Sequence, residues 1–192
     1  MIIAQEIIHA LTLKKGNTGF MAIKIDLEKA YDRLEWNFIQ DVLLLYNLPS
    51  SMVDLIMSCI SFSSISLLFN WGMFKPFLPS RGSRKGDPMS PYILILCMEV
   101  LGYLVDDKCR SKLWDPVKAL KGGPAISHLF FMDDLILFAK VDENNFQSIR
   151  EVLEVFGELS SQKVSASKSK VFFSPNVLDD TRFSLSNILG FH

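Results

Sequence analysis

Two adjacent carboxylates, Asp133 and Asp134, lie between two short apolar runs. The runs, residues 129–132 and 135–139, are too short for ordinary helices and predict two buried strands joined by a two-residue hairpin turn. Burying two adjacent anions costs several kcal/mol each unless a positive charge compensates them. A divalent cation would do so, because hard oxygen ligands are those that Mg²⁺ selects. A solvated acidic turn is the alternative, since Asp is common in turns.

A third carboxylate, Asp26, lies near the end of a strand predicted over residues 20–27. If this strand neighbours the hairpin in one sheet, the three carboxylates converge. Such a cluster can hold two Mg²⁺ ions about 3.5–4 Å apart, one activating the attacking oxygen and one steadying the leaving phosphate. Phosphoryl transfer depends mainly on such positioning and charge neutralisation. The sequence therefore predicts a phosphoryl-transfer site on the condition that the two strands pair.

The long polar loop at residues 76–91 contains four prolines and two glycines. Its basic residues are the densest positive cluster in the chain: Arg81, Arg84 and Lys85. The loop leads into a helix predicted over residues 92–105, with Ser90 as N-cap and Pro91 in the first turn. A basic, glycine-containing loop at a helix N-terminus suits contact with a phosphate backbone. An ordinary connection with solvated charges is the alternative.

The remaining sequence supplies the elements that must position these residues. Strands are predicted at residues 64–70, 115–123 (with a turn) and 170–174. Apolar residues at helical spacing predict helices at residues 1–13, 28–48, 50–60, 144–159 and 181–189. In the second of these helices the apolar face includes Leu34, Phe38, Val42 and Leu45.

Composition limits the possible functions. The 192 residues are 49% apolar and carry 20 basic and 21 acidic residues, a net charge of -1, which is not the basic footprint of a complete nucleic-acid-binding domain. Three widely spaced cysteines favour reduced thiols inside a cell over disulfides or zinc. Residues 1–13 lack a basic leader, and the most apolar run, residues 91–105, is shorter than the ~20 residues of a membrane span. We expect a soluble intracellular protein.

Four segments, in order, resemble the motifs of one enzyme family. They are residues 22–36 (AIKIDLEKAYDRLEW), 81–91 (RGSRKGDPMSP), 128–134 (HLFFMDD) and 160–170 (SSQKVSASKSK). Together they resemble the palm of a reverse transcriptase of the non-LTR (LINE-type) retrotransposon class, similar to copies in plant genomes. The resemblance implies an α/β (α+β) fold, a polymerase palm-like antiparallel sheet backed by helices. It also implies RNA-templated addition of deoxynucleotides to a DNA primer 3′-hydroxyl, and two Mg²⁺ ions (or Mn²⁺). We expect no membrane partner, because no apolar run is long enough to span a membrane.

The resemblance also implies roles for the carboxylates and the basic residues. Asp26 and Asp133 would ligate both metals, with Asp134 assisting and the Leu27 carbonyl as an extra ligand. The nucleic acid would contact three residues of the polar loop: Arg81, Arg84 and Lys85.

Three further positions would face the incoming nucleotide. Tyr31 would lie under the sugar and exclude a ribose 2′-hydroxyl, although an aromatic residue packed on the core is the alternative. Gly86, with Lys85 beside it, would let the backbone approach the template and the nucleotide. Lys168 would approach the triphosphate and donate a proton to pyrophosphate; a solvated loop lysine is the alternative.

The chain departs from the family pattern at several positions, although none removes a metal ligand. Lys85 stands where the family usually has Gln, and Met132 where it usually has Ala. Ser161 and Ser165 replace a usual Gly and Asn. Lys85 exchanges a hydrogen-bonding amide for a charge that can only donate.

We expect residues 1–192 to form a partial reverse transcriptase domain carrying the palm motifs, with fingers and thumb largely missing and no second domain. One competing hypothesis is a non-catalytic remnant that binds nucleic acid weakly. Another is a hydrolase that uses His128 with a nearby Ser and Asp, although the sequence contains no nucleophile elbow.

Overall fold

The computed structural model describes residues 2–189 except positions 15, 17, 63, 121, 132 and 133, with the backbone alone at 187–189. The helices are α1 (Ile2–Thr12), α2 (Ala30–Arg33), α3 (Trp36–Leu45), α4 (Ser50–Ser61), α5 (Ser90–Arg110), α6 (Glu143–Ser160) and α7 (Asp179–Leu189). The strands are β1 (Phe20–Asp26), β2 (Leu68–Phe69), β3 (Gly72–Met73), β4 (Val117–Lys118), β5 (Ala125–Ile126), β6 (His128–Phe131), β7 (Asp134–Lys140) and β8 (Lys170–Phe173).

A four-stranded sheet in the order β6-β7-β1-β8 forms the centre of the fold. All three pairings are antiparallel, and β1 lies between β7 and β8. The pairing of β1 with β7 on which the predicted site depends is therefore present. The predicted antiparallel sheet backed by helices is confirmed.

The alternation of side chains along β1 explains how the sheet divides its two faces. Ile23 and Ile25 point into the main core, which also contains buried residues of α3, α5 and α6. Ala22, on the opposite face, packs with Ile7 and Leu11 of α1 in a smaller core. Burying each large aliphatic side chain contributes roughly 1.5–3 kcal/mol, which fixes the register of the strand.

Two predicted elements differ from the structure. The strand predicted at residues 64–70 is instead a small hairpin of β2 and β3. The helix predicted at residues 28–48 divides into α2 and α3, because Leu34 and Glu35 have extended backbones. The prediction that Leu45 belongs to the apolar face is wrong, since it is exposed while Ile39 and Leu43 are buried. The buried face of α3 consists of Phe38, Ile39, Val42 and Leu43, and Leu45 lies outside it, toward solvent.

Two predicted details at element ends are also wrong. Ser90 is the first residue of α5, and the N-cap is Met89. The Asp87 carboxylate accepts a hydrogen bond from the Met89 N–H at 2.8 Å, so it supplies the polar contact expected of Ser90. Asp134 is not a turn residue but the first residue of β7, because it pairs with Phe131 across the hairpin.

Candidate active site

Asp26 and Asp134 are register partners at the end of the β1–β7 pair. Side chains of directly opposite residues share a face of the sheet, so the two carboxylates lie side by side. Their side chains are 36% and 40% exposed, which leaves both open to a ligand from solvent. Asp133, the third predicted carboxylate, lies outside the described residues.

Asp26 and Asp134 each have a lysine beside them. Lys24 Nζ lies 3.0 Å from Asp134 Oδ1, and Lys168 Nζ lies 3.9 Å from Asp26 Oδ1. Lys24 precedes Asp26 by two residues and therefore points to the same face. Lys24 was not among the predicted site residues, although its spacing from Asp26 places it on the same face. Because these pairs are partly exposed, each contributes little to stability, and a cation could displace either lysine.

The donor set fits a hard divalent cation, since carboxylate oxygens are the ligands that Mg²⁺ and Mn²⁺ prefer. Among the residues that the structure describes, no three His, Cys, Asp or Glu side chains lie close enough together to hold a metal ion. The described part of the site thus supplies two carboxylates from neighbouring strands.

The backbone at Asp26 is held from the β8 side. The Asp26 N–H donates to Ser169 Oγ at 3.1 Å, and the Asp26 carbonyl accepts from the Ser165 N–H at 2.8 Å. The Glu28 N–H donates to the Lys163 carbonyl at 2.8 Å, and the C=O and N–H of one peptide group point in opposite directions, so the Leu27 carbonyl points away from the segment that follows α6. This orientation suits the ligand role implied for Leu27. The segment that follows α6 therefore braces the strand end.

The polar loop is attached to the segment that follows Asp26. The Ser83 N–H donates to the Tyr31 carbonyl at 2.8 Å, and the Gly82 N–H donates to the Leu34 carbonyl at 2.7 Å. The Trp36 indole N–H donates to the Gly82 carbonyl at 2.9 Å. These three bonds place the basic residues next to α2. Trp36 and Gly82 were not predicted to have a role.

Gly82 is required by this attachment. Its φ is +85°, and a Cβ at this position would lie 2.7 Å from the Asp32 carbonyl oxygen. Gly86 also has a positive φ, +95°, but a Cβ there would meet no atom within 4 Å. Both positions favour glycine for their backbone, and only Gly82 needs it for space.

The three basic residues of the loop are exposed. Arg81 pairs with Glu35 at 3.3 Å, and Arg84 pairs with Asp87 at 3.5 Å. Lys85 forms no ion pair with the described residues. The loop borders a cleft of about 450 Å³ that Ile60 and Ile65 also line. This exposure is compatible with a nucleic-acid contact and with a solvated charged loop.

The other residues predicted to face the nucleotide occupy accessible positions. Tyr31 is half-buried and packs against the main core, so the packing interpretation holds for part of its ring. Lys168 is 71% exposed beside Asp26.

The contacts of His128 do not favour the hydrolase hypothesis. Ser127 Oγ lies 3.0 Å from His128 Nδ1, and the imidazole packs on the Phe130 ring with centroids 4.6 Å apart. Burial lowers the pKa of His128. Within the described residues, no carboxylate forms a hydrogen bond with this imidazole, so a Ser-His-Asp triad is not assembled there.

The sequence and the fold of this chain are similar to those of known proteins. The family described as reverse transcriptase (RNA-dependent DNA polymerase) matches residues 3–191. A Retrovirus-related Pol polyprotein from the type-2 retrotransposable element R2DM of Drosophila melanogaster is 32% identical over 133 residues, 68% of this chain and 12% of that protein. The transposon TX1 uncharacterized 149 kDa protein of Xenopus laevis is 26% identical over 147 residues, 77% of this chain and 11% of that protein.

A solved structure of apo telomerase from Candida tropicalis, truncated from its C-terminal domain, superimposes with a TM-score of 0.62. It is 16% identical and covers 91% of this chain and 35% of that chain, a likeness that shows the fold alone. The chain thus spans about an eighth of the D. melanogaster relative and about a third of the telomerase structure.

Proposed function

This chain belongs to the reverse transcriptase (RNA-dependent DNA polymerase) family, in its non-LTR retrotransposon class, and we propose that its sheet supplies the catalytic edge for RNA-templated DNA synthesis. The observation that carries the proposal is the register pairing of Asp26 with Asp134 on one open face. Residues 1–192 would act as the palm portion of a longer polymerase. No helix among the described residues is long and apolar enough to cross a membrane.

The metal ligands in this proposal are Asp26, Asp133, Asp134 and the Leu27 carbonyl. Two Mg²⁺ ions, or Mn²⁺, when bound, would supply activation of the primer hydroxyl and neutralisation of phosphate charge. The chain's own contribution is to hold the carboxylates in place. Ser165 and Ser169 brace the Asp26 backbone, and the β1–β7 register sets the spacing between the two acids.

The nucleotide would occupy the space between α2, the polar loop and Lys168. Tyr31 would exclude a ribose 2′-hydroxyl, and Gly86 with Lys85 would let the loop backbone approach the base pair. Lys168, 3.9 Å from Asp26, would contact the triphosphate and donate a proton to pyrophosphate. The template and primer phosphates would contact the exposed basic residues of the loop: Arg81, Arg84 and Lys85.

The test is primer extension on an RNA template with Mg²⁺. The enzyme is the D. melanogaster relative with its matching region replaced by this chain. We expect DNA product from this chimera and at least a thousandfold less from its Asp26→Asn variant, because electrostatic positioning supplies most of the rate.

The matched control is Asp115→Asn. Asp115 is also a partly exposed carboxylate paired with a lysine, Lys140, at the opposite end of β7, and its loss should leave synthesis intact. Equal product from the Asp26→Asn variant and its parent would refute the proposed role. No product from the unsubstituted chimera would favour the non-catalytic remnant.

A further inference from the structure

The hairpin of β2 and β3 exposes large apolar side chains on both of its faces. Leu68 and Met73 are register partners on one face and are 72% and 75% exposed. Phe69 and Phe74 share the other face, with ring centroids 6.4 Å apart. An apolar patch of this kind on a soluble protein marks a binding surface, and a two-stranded hairpin is marginally stable without a partner.

Trp71 lies at the tip of this hairpin and is 96% exposed. Asn70 and Trp71 have φ values of +49° and +65°, as a tight hairpin turn requires. Asn tolerates this left-handed conformation, whereas a bulky side chain such as Trp rarely adopts it. The turn therefore presents an indole to solvent at a conformational cost, and strain retained on a surface suggests function.

Positive charge accompanies these aromatic residues. Residues 65–86 contain no Asp or Glu and carry four cations: Lys75, Arg81, Arg84 and Lys85. The two arginines pair with carboxylates outside this range, Glu35 and Asp87, in partly exposed pairs that a phosphate can displace, whereas the two lysines form no ion pair with the described residues. The base of the hairpin is closed by two hydrogen bonds of 2.9 Å between the backbones of Ile65 and Phe77. Ile65 also lines the cleft that the basic loop borders. The base of the aromatic hairpin therefore adjoins the basic loop.

We propose that this surface, the hairpin at residues 67–78 with the adjoining basic loop, binds unpaired nucleotides of the template strand. Bases would stack on Trp71 and on the Phe69–Phe74 pair, and phosphates would contact Lys75 and the loop. Stacking on aromatic side chains combined with a cationic track is how proteins hold single-stranded nucleic acid. The inference rests on the proposed function, which brings an RNA template to the neighbouring loop.

The charge pattern favours this occupant over an apolar protein partner. A polyanion with flat apolar bases complements both the aromatic side chains and the four cations. An apolar protein surface would complement only the first of these features.

The test measures binding of a fluorescently labelled, unstructured single-stranded RNA to the full 192-residue chain by anisotropy. Trp71→Ala should weaken binding by roughly tenfold, because stacking of one base contributes about that factor. Phe183→Ala is the matched control, since Phe183 is 73% exposed on α7 and should not affect binding. The slope of log affinity against log salt should be about -3 for four cations.

Tryptophan emission gives an independent readout. Trp114 is 1% exposed, so RNA should quench Trp71 and, near the basic loop to which its indole bonds, Trp36. Trp71→Phe should remove the Trp71 share of the quenching and retain most of the affinity, because Phe also stacks.

Equal RNA affinity in the Trp71→Ala variant and its parent would overturn the inference. So would a Trp71-dependent self-association, or Trp71-dependent binding to anionic vesicles, without RNA binding. These failures differ from failure of the proposed function, which would appear as an inactive chimera that still binds RNA through Trp71.

Discussion

Lys24 places a positive charge beside the Asp134 carboxylate at the edge of the sheet. The 3.0 Å ion pair means that a cation at the carboxylates must compete with an ammonium group. We predict that Lys24→Met raises the affinity for Mn²⁺ by about three- to tenfold, as expected for removal of one partly exposed competing charge. Mn²⁺ titration followed by electron paramagnetic resonance measures this affinity.

The control for this prediction is Lys140→Met, which removes an equivalent ion pair with Asp115 at 2.7 Å. It should leave the Mn²⁺ affinity unchanged. If Lys24→Met weakened Mn²⁺ binding, Lys24 would be supporting the carboxylates instead of competing for them.

Tyr31 carries the predicted selection of the sugar. In the chimera, Tyr31→Ala should raise ribonucleotide incorporation relative to deoxynucleotide incorporation by at least tenfold, because the ring would no longer occupy the space of the 2′-hydroxyl. Tyr31→Phe keeps the ring and should keep the selection. The measurement is the ratio of kcat/KM for matched nucleotides, and an unchanged ratio in Tyr31→Ala would leave Tyr31 with a packing role.

Individual residues of the candidate site could be predicted from the sequence, but the contacts between them could not. Asp26 and Asp134 were identified from strand ends and a carboxylate pair, and the register confirms that these two lie together. The ion pair of Lys24 could not be predicted, because it depends on which residue of β7 lies diagonally opposite. That pairing depends on how both strands pack against the helices, which the pattern within one strand does not show.

At the scale of elements, the polar loop depends on Gly82 for its attachment to α2. We predict that Gly82→Ala lowers the free energy of unfolding by about 2–3 kcal/mol, through left-handed backbone strain and the close Asp32 carbonyl. Gly86→Ala should cost only about 1 kcal/mol, since its Cβ would meet open space. Denaturant unfolding of both variants measures the difference, and equal losses would show that the contact with Asp32 is unimportant.

Helices whose apolar residues recur at helical spacing over many residues were predictable. Element boundaries that depend on contacts with distant segments were not. The period of α6 gave its buried face, including Phe146, Ile149 and Val152. The break between α2 and α3 has no such signal. It coincides with backbone bonds from a loop about 50 residues later, which a local pattern cannot reveal.

At the scale of the whole molecule, the chain is nearly neutral and spans about an eighth of its D. melanogaster relative. We predict that the isolated 192-residue chain shows no primer extension on an RNA template with Mg²⁺ or Mn²⁺. A net charge of -1 gives little attraction for a polyanion beyond the basic loop and scattered lysines, and misplacement of reacting groups by ~1 Å costs about a hundredfold. Template-dependent synthesis by this chain, lost in Asp133→Ala, would show that the palm alone suffices.

The most direct test of the central claim is the position of a divalent cation in crystals of this chain soaked with Mn²⁺. We expect an anomalous difference peak within about 2.5 Å of carboxylate oxygens of both Asp26 and Asp134, a distance typical of such ions with oxygen ligands. The peak should be absent from Asp26→Asn crystals grown and soaked identically. A peak elsewhere on the chain, or one at the sheet edge that persists in Asp26→Asn, would show that Asp26 and Asp134 do not form the metal site.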